Sequence, residues 1–119
     1  MKSLKYLALT IALATVGSMS GSAEPIVEFR THARIMVAPA TVRMLIVVQP
    51  NDANRTLHVE LDGDLMYRSS DMALEGAGEK KFHQITFRGV PPGHYRLAAV
   101  VLSATAVRGQ ATDSLDVLD

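Results

Sequence analysis

The chain has 119 residues, 12 of them basic and 12 acidic, with no cysteine and no tryptophan. That even balance excludes the concentrated basic face a nucleic-acid binder needs. Without cysteine there are no disulfide staples, no thiolate ligands and no thiol redox chemistry, so the fold must rest on core packing.

Residues 1–23 read as a secretory signal peptide. Lys2 and Lys5 make a positive start, residues 6–16 are apolar apart from Thr10 and Thr15, and Gly21 and Ala23 occupy the two small-residue positions ahead of a cut. The apolar run is shorter than the roughly 20 residues of a membrane-spanning helix, so no span is expected after cleavage. The lysine-led leader has a bacterial form, which directs the chain to the periplasm or the medium. It takes two basic residues and no acidic ones, so the remaining 96 residues hold 10 basic and 12 acidic side chains, a net charge of −2. A chain of that size makes one small domain.

Residues 24–32 read as an extended lead-in, paired in part, and residues 33–119 as the domain proper. Residues 33–37 are the first expected strand, closed by Pro39, which cannot donate to a ladder. Residues 42–48 place Val42, Met44, Ile46 and Val48 on one face at a period of two. Residues 49–54 are turn chemistry. Residues 56–61 point Leu57, Val59 and Leu61 inward and His58 and Glu60 outward. Asp62-Gly63 fits a tight hairpin turn. Residues 65–70 and 71–74 read as two short strands, 75–79 as a loop, and 81–88 as a strand with Ile85 and Phe87 inward. Tyr95, Leu97, Ala99 and Val101 face inward on the next strand. Arg108-Gly109 reads as a turn, followed by a last strand with Leu115 and Val117 inward. About seven short strands with no helical period predict an all-β, antiparallel two-sheet sandwich.

Phe87-Arg88-Gly89-Val90-Pro91-Pro92-Gly93-His94-Tyr95-Arg96-Leu97 resembles the entry to the penultimate strand of immunoglobulin-like and fibronectin type III-like sandwiches. The resemblance runs over residues 33–119 in pattern, and its specific motif is the corner Pro92, Gly93 and Tyr95. It implies that Tyr95 packs its ring inside and returns its hydroxyl to nearby backbone, while the prolines stiffen the approach and Gly93 takes the turn. The chain lacks the cysteine pair and tryptophan of antibody domains, which points to a bacterial immunoglobulin-like domain.

His58, Glu60 and Asp62 share an outward face at a spacing of two, a candidate set for a divalent ion, although solvated alternation gives the same pattern. His94 reads as a surface residue, and His83 as a half-buried structural histidine in phase with Ile85. Small exported copper carriers are similar in size, leader and Pro-Gly-x-Tyr corner. The histidine at the mature terminus and the Asp-x-His pair that the resemblance implies are missing here, where Glu24 and residues 102–106 stand. Ser69-Ser70-Asp71 has no histidine placed to activate a hydroxyl, and Gly76-Ala77-Gly78 lacks the Lys-Ser/Thr of a phosphate loop. No catalytic residue and no cofactor are expected. Asn54-Arg55-Thr56 fits a glycosylation acceptor.

Ala98, Val100 and Leu102 are apolar on the outward face of the penultimate strand, where a wet sheet should be polar. Long arginine stems, the lead-in 24–32 or a partner could cover them. Tyr67 and Arg68 add a candidate anchor pair, since both types are favoured at contact centres. The sequence therefore reads as an exported, non-enzymatic immunoglobulin-like module acting through protein contact. Its partner would be another exported or envelope protein, or a second copy. The alternative is a periplasmic metal (copper-type) or small-ligand carrier on the same sandwich.

The leader makes a direct prediction. Expressed in a bacterium with export machinery, the chain is expected to yield a product whose amino-terminal sequence begins at Glu24. A released product that retains residues 1–23 contradicts it.

Overall fold

A computed structural model of the chain describes residues 24–119. The leader expected over residues 1–23 lies outside them. Eight strands follow in order: β1 (Val27–Thr31), β2 (Ile35–Val37), β3 (Ala40–Val48), β4 (Thr56–Gly63), β5 (Tyr67–Ala73), β6 (Phe82–Val90), β7 (Gly93–Leu102) and β8 (Val107–Leu118). A short 3-10 turn at Gly76–Gly78 links β5 to β6. They form two sheets, one ordered β1-β3-β6 and the other β2-β8-β7-β4-β5. The pairs are antiparallel except β2 with β8, which run parallel. Among the described residues, no helix is long and apolar enough to cross a membrane.

The two sheets bury the residues that the period of two selects. Met44, Ile46, Leu57, Val59, Leu61, Leu97, Ala99 and Val101 are at 0% exposure, and Val42, Ile85, Phe87, Tyr95, Leu115 and Val117 lie at 6% or less. Each large side chain among them contributes about 1.5–3 kcal/mol of burial, offset by the ordering of the chain.

Tyr95 closes one end of this core. Its hydroxyl donates to the Pro91 carbonyl at 2.7 Å. Burial pushes the phenol above its ordinary pKa, which keeps it a neutral donor. Its ring lies against Gly63, the residue opposite it on β4. A Cβ at Gly63 would stand 2.4 Å from the ring, so glycine is required there for space. That explains why Asp62-Gly63 is not the hairpin turn expected from sequence. β4 runs through both residues, and the bend falls at Asp64 and Leu65, where the Gly63 amide donates to the Met66 carbonyl at 2.9 Å.

The pairing allowed for in the lead-in is the strand β1, which runs beside β3 from Val27 opposite Val48. Two other expectations change. Residues 65–70 and 71–74 merge into the single strand β5, which pairs with β4 without interruption. The turn expected at Arg108-Gly109 lies instead at residues 103–106, where the Ser103 hydroxyl accepts from the Thr105 and Ala106 amides at 3.2 and 3.0 Å. A serine side chain thus does the work assigned to glycine. Gly109 sits inside β8 and makes room for Ile26, whose Cβ would be 2.8 Å from an added Cβ.

Removing the Tyr95 hydroxyl leaves the Pro91 carbonyl without its partner. Tyr95→Phe is expected to cost about 1–3 kcal/mol in urea unfolding, and Gly63→Ala a similar amount by forcing the ring out of place. Unchanged unfolding midpoints in both variants would show that the corner does not hold the fold.

Candidate contact face

The five-stranded sheet presents one broad outer face. β7 crosses its middle, with Ala98 between Glu60 of β4 and Thr112 of β8, and Val100 between His58 and Gln110. At Ala98 and Val100 the apolar strip is one residue wide between polar neighbours, while Leu102 lies opposite Val107, which is exposed. Ala98 is 7% exposed, while Val100 and Leu102 are half-buried. The lead-in does not cover the strip, because β1 belongs to the other sheet. Tyr67 is 54% exposed on the same face, opposite Asp62. Arg68 points the other way, since neighbours on a strand alternate, and its guanidinium donates to the Arg88 carbonyl of β6 in the opposite sheet. The structure therefore does not bring Tyr67 and Arg68 to one surface as an anchor pair.

At the β2 edge the same face is apolar. Ile35 and Val37 are each 66% exposed and Leu118 is 50% exposed. Val37 lies directly beside Leu118, and Ile35 beside Asp116. Asp116 in turn accepts from His94 Nδ1 at 2.5 Å, so the apolar cluster ends in a polar hydrogen-bonded contact. His94 is the surface residue expected. Sequence reasoning missed this cluster because Ile35 and Val37 gain meaning only once β2 is seen to join the carboxyl-terminal strand.

The expected trio His58, Glu60 and Asp62 resolves into a different set. His58 Nε2 meets Glu60 Oε2 at 2.9 Å, and Nδ1 bonds to Asp71 on β5. Asp62 is not a partner. Hydrogen bonding to Asp71 raises the His58 pKa most strongly, burial opposes it, and Glu60 adds to the rise. Two carboxylates on two ring nitrogens suit an imidazolium that donates to both, which leaves no lone pair for a metal. Among the described residues, no group of three His, Cys, Asp or Glu is arranged to hold an ion. Asp71 was hidden from sequence reasoning because its place opposite His58 depends on the hairpin register.

Two further histidines are structural. His32 bonds through Nε2 to Asp113 Oδ2 at 2.9 Å and through Nδ1 to the Ala33 carbonyl. Arg34 joins the same carboxylate at 2.9 Å. Asp113 is held down to about 2, first by His32, with the Ser114 amide and Arg34 helping. This clamp fastens the chain where it leaves the small sheet as β1 and enters the large one as β2. His83 is 1% exposed, more buried than the half-buried position expected. Its Nε2 donates to the Lys80 carbonyl at 3.1 Å, and its Nδ1 has no protein partner. Burial pushes its pKa down, so it is neutral.

Asn54 is 1% exposed. Its amide donates to the Gln49 carbonyl at 3.0 Å and accepts from Arg108 at 2.8 Å, so it is a loop fastener and not an accessible glycosylation acceptor. On the outer face of the small sheet, a cleft of about 300 Å³ is lined by Glu28, Arg30, Val47 and Phe82 among others. Arg30 pairs with Glu28 at 2.9 Å and stands 6.0 Å from the Phe82 ring centre, so its own cation is already engaged.

No protein-family model matches the chain, and no curated protein matches its sequence. Solved structures superpose on the chain. A variant of superoxide reductase (neelaredoxin) from Ignicoccus hospitalis superposes with a TM-score of 0.66 at 17% identity, covering 98% of this chain and 99% of that one. A second structure of that reductase gives 0.60 at 14% identity, covering 84% and 86%. A CARDB domain from Pyrococcus furiosus, solved in complex with di-metal ions, gives 0.49 at 13% identity, covering 80% and 93%. The likeness to the reductase, at these identities, is one of fold alone.

The ionisable groups set a pH profile with two limbs. His83 has a lowered folded pKa, so stability is complete above its unfolded value of 6.5 and is lost as pH falls below it. His58 has a raised folded pKa, so its contribution is complete below 6.5 and is lost as pH rises through the folded value. Asp113 adds a deeper acid limb between 3.8 and about 2. Urea midpoints measured across pH are expected to flatten in His83→Leu from 6.5 down to the start of the Asp113 limb at 3.8, and in His58→Gln above 6.5. A profile unchanged in both variants refutes the assignment.

Proposed function

We propose that the chain is an exported immunoglobulin-like module that acts by protein contact and not by catalysis. The contact lies on the outer face of the five-stranded sheet. Support for an immunoglobulin-like reading comes from the chain's change of sheet between β1 and β2, and from the tyrosine hydroxyl bonded back to backbone at the entry to β7. The observation that carries the contact is the cluster of Ile35, Val37 and Leu118, each half or more exposed and adjoining on one face. Adjoining exposed aliphatic side chains mark interaction sites more than isolated ones do. Tyr67 and the strip of Ala98, Val100 and Leu102 continue the same face toward β5. The partner is another exported or envelope protein.

The reductase neighbours raise the question of a redox group, since superoxide reduction needs a one-electron donor. The side chains here do not fit one. Cysteine is absent, His58 and His32 have both nitrogens bonded, His83 is buried within the sandwich, and the exposed His94 has only Asp116 beside it, with no group of three ligands among the described residues. No step is assigned to such a group.

Photoreactive side chains placed at Val37 or Leu118 in cells are expected to give one discrete adduct, and Val37→Asp to abolish the adduct formed from position 118. The same substitution at Ala77, on the far turn, should give none. Equal labelling from all three positions, or none from 37 and 118, refutes the contact face. Calorimetric titration with zinc or copper is expected to show no stoichiometric uptake, and a defined stoichiometry would return the carrier alternative.

A further inference from the structure

Four strands stand at sheet edges: β1 and β6 in the small sheet, β2 and β5 in the large one. An edge is a row of unpaired backbone groups, which proteins blunt with shortness, charge or proline. β2 has three residues. β1 has five and carries the Glu28–Arg30 ion pair. β5 carries Arg68 and Asp71. β6 has nine residues, with no proline, no lysine and one charge, Arg88. It is the least protected of the four.

The ladder determines which of its backbone groups are open. The Lys81 carbonyl accepts from Val48 of β3 at 2.9 Å. Antiparallel alternation then turns the backbone groups of His83, Ile85 and Phe87 toward β3, and those of Phe82, Gln84, Thr86 and Arg88 toward the open side. The Arg88 carbonyl, reached from that side by Arg68, agrees with this phase. The regular stretch ends where Gly89 takes φ +66 and the register with β3 shifts.

We propose that this edge is a self-association site at which β6 of a second copy adds antiparallel, centred on Ile85, joining the two small sheets into one. The second copy is argued from self-complementarity. About that centre Gln84 faces Thr86 of the other copy, amide to hydroxyl, and both have backbone groups on the open side. Phe82, 49% exposed, faces Arg88 of the other copy, a cation over a ring of the kind Phe82 already accepts from Arg30. On the inner face Ile85 meets Ile85, and His83 meets Phe87. No like charges are opposed, which antiparallel neighbours require. The Arg88 carbonyl has a second lone pair for the added strand while Arg68 holds the first.

The absence of cysteine gives a clean background for the test. Hydrogen-bonded antiparallel neighbours stand about 5.5 Å apart at Cα, within disulfide reach. Mild oxidation of a mixture of Gln84→Cys and Thr86→Cys proteins is expected to give a crosslinked dimer, at a yield several-fold above either protein alone. Light scattering should find the parent protein dimeric. Thr86→Pro removes only an open-side donor, so it should abolish the dimer while keeping the β signal in circular dichroism. A parent that is monomeric at every concentration overturns the proposal. So does a dimer indifferent to Thr86→Pro, or a crosslink formed as readily from one variant as from the mixture. Because the cysteine mixture reports on a folded chain, a misfolding proline variant does not decide the outcome.

Discussion

Two sheets with no disulfide between them hold together because alternate side chains of β3, β4, β6, β7 and β8 fill the space between them. That packing needs strands of fixed phase, since a slip of one residue would expose the whole buried set. The Tyr95 corner helps to hold the phase. One ring rests on a glycine of the neighbouring strand, and one hydroxyl ties the incoming bend to the same point. β4 and β7 are thereby locked together in the middle of the larger sheet, and the surfaces on both sides inherit their arrangement.

Polar groups follow from the same constraint. The chain change between sheets would leave a loose seam, and Asp113 closes it with His32 and Arg34. The loop before β4 would leave an open backbone carbonyl, and Asn54 satisfies it while anchoring to Arg108. His58 balances two carboxylates that would otherwise repel each other across β4 and β5. Four histidines in a chain of this size invite a metal reading. Among the described residues each bonds to its own carboxylate or carbonyl partner. His83 is the exception in quality, because one of its buried nitrogens goes without a protein partner.

Surfaces left over after these demands are met divide by kind. The broad face of the large sheet ends in exposed aliphatic side chains beside β2. The small sheet ends in a long edge with little charge. A face offers area and shape to a different protein. An edge offers a regular row of donors and acceptors, which suits another strand.

Alternation in residues 42–48, 56–61 and 95–101 sufficed to name the buried set, because a strand's side-chain period is set by backbone geometry and needs no knowledge of neighbours. The inward ring of Tyr95 followed from the same alternation, whereas its hydroxyl bond back to the bend came only as what the resemblance to immunoglobulin-like corners implied. Pairing was not legible. Asp71 reaches His58, Asp113 gathers His32 and Arg34, and Leu118 adjoins Val37 only because strands distant in sequence take a particular order and register. Glycines misled for a related reason: Gly63 and Gly109 look like turn residues, but they are there to admit Tyr95 and Ile26 from other strands. Local chemistry determined the layers and the dry interior, whereas the faces, the edges and the ion pairs were decided by contacts that exist only once the two sheets have closed.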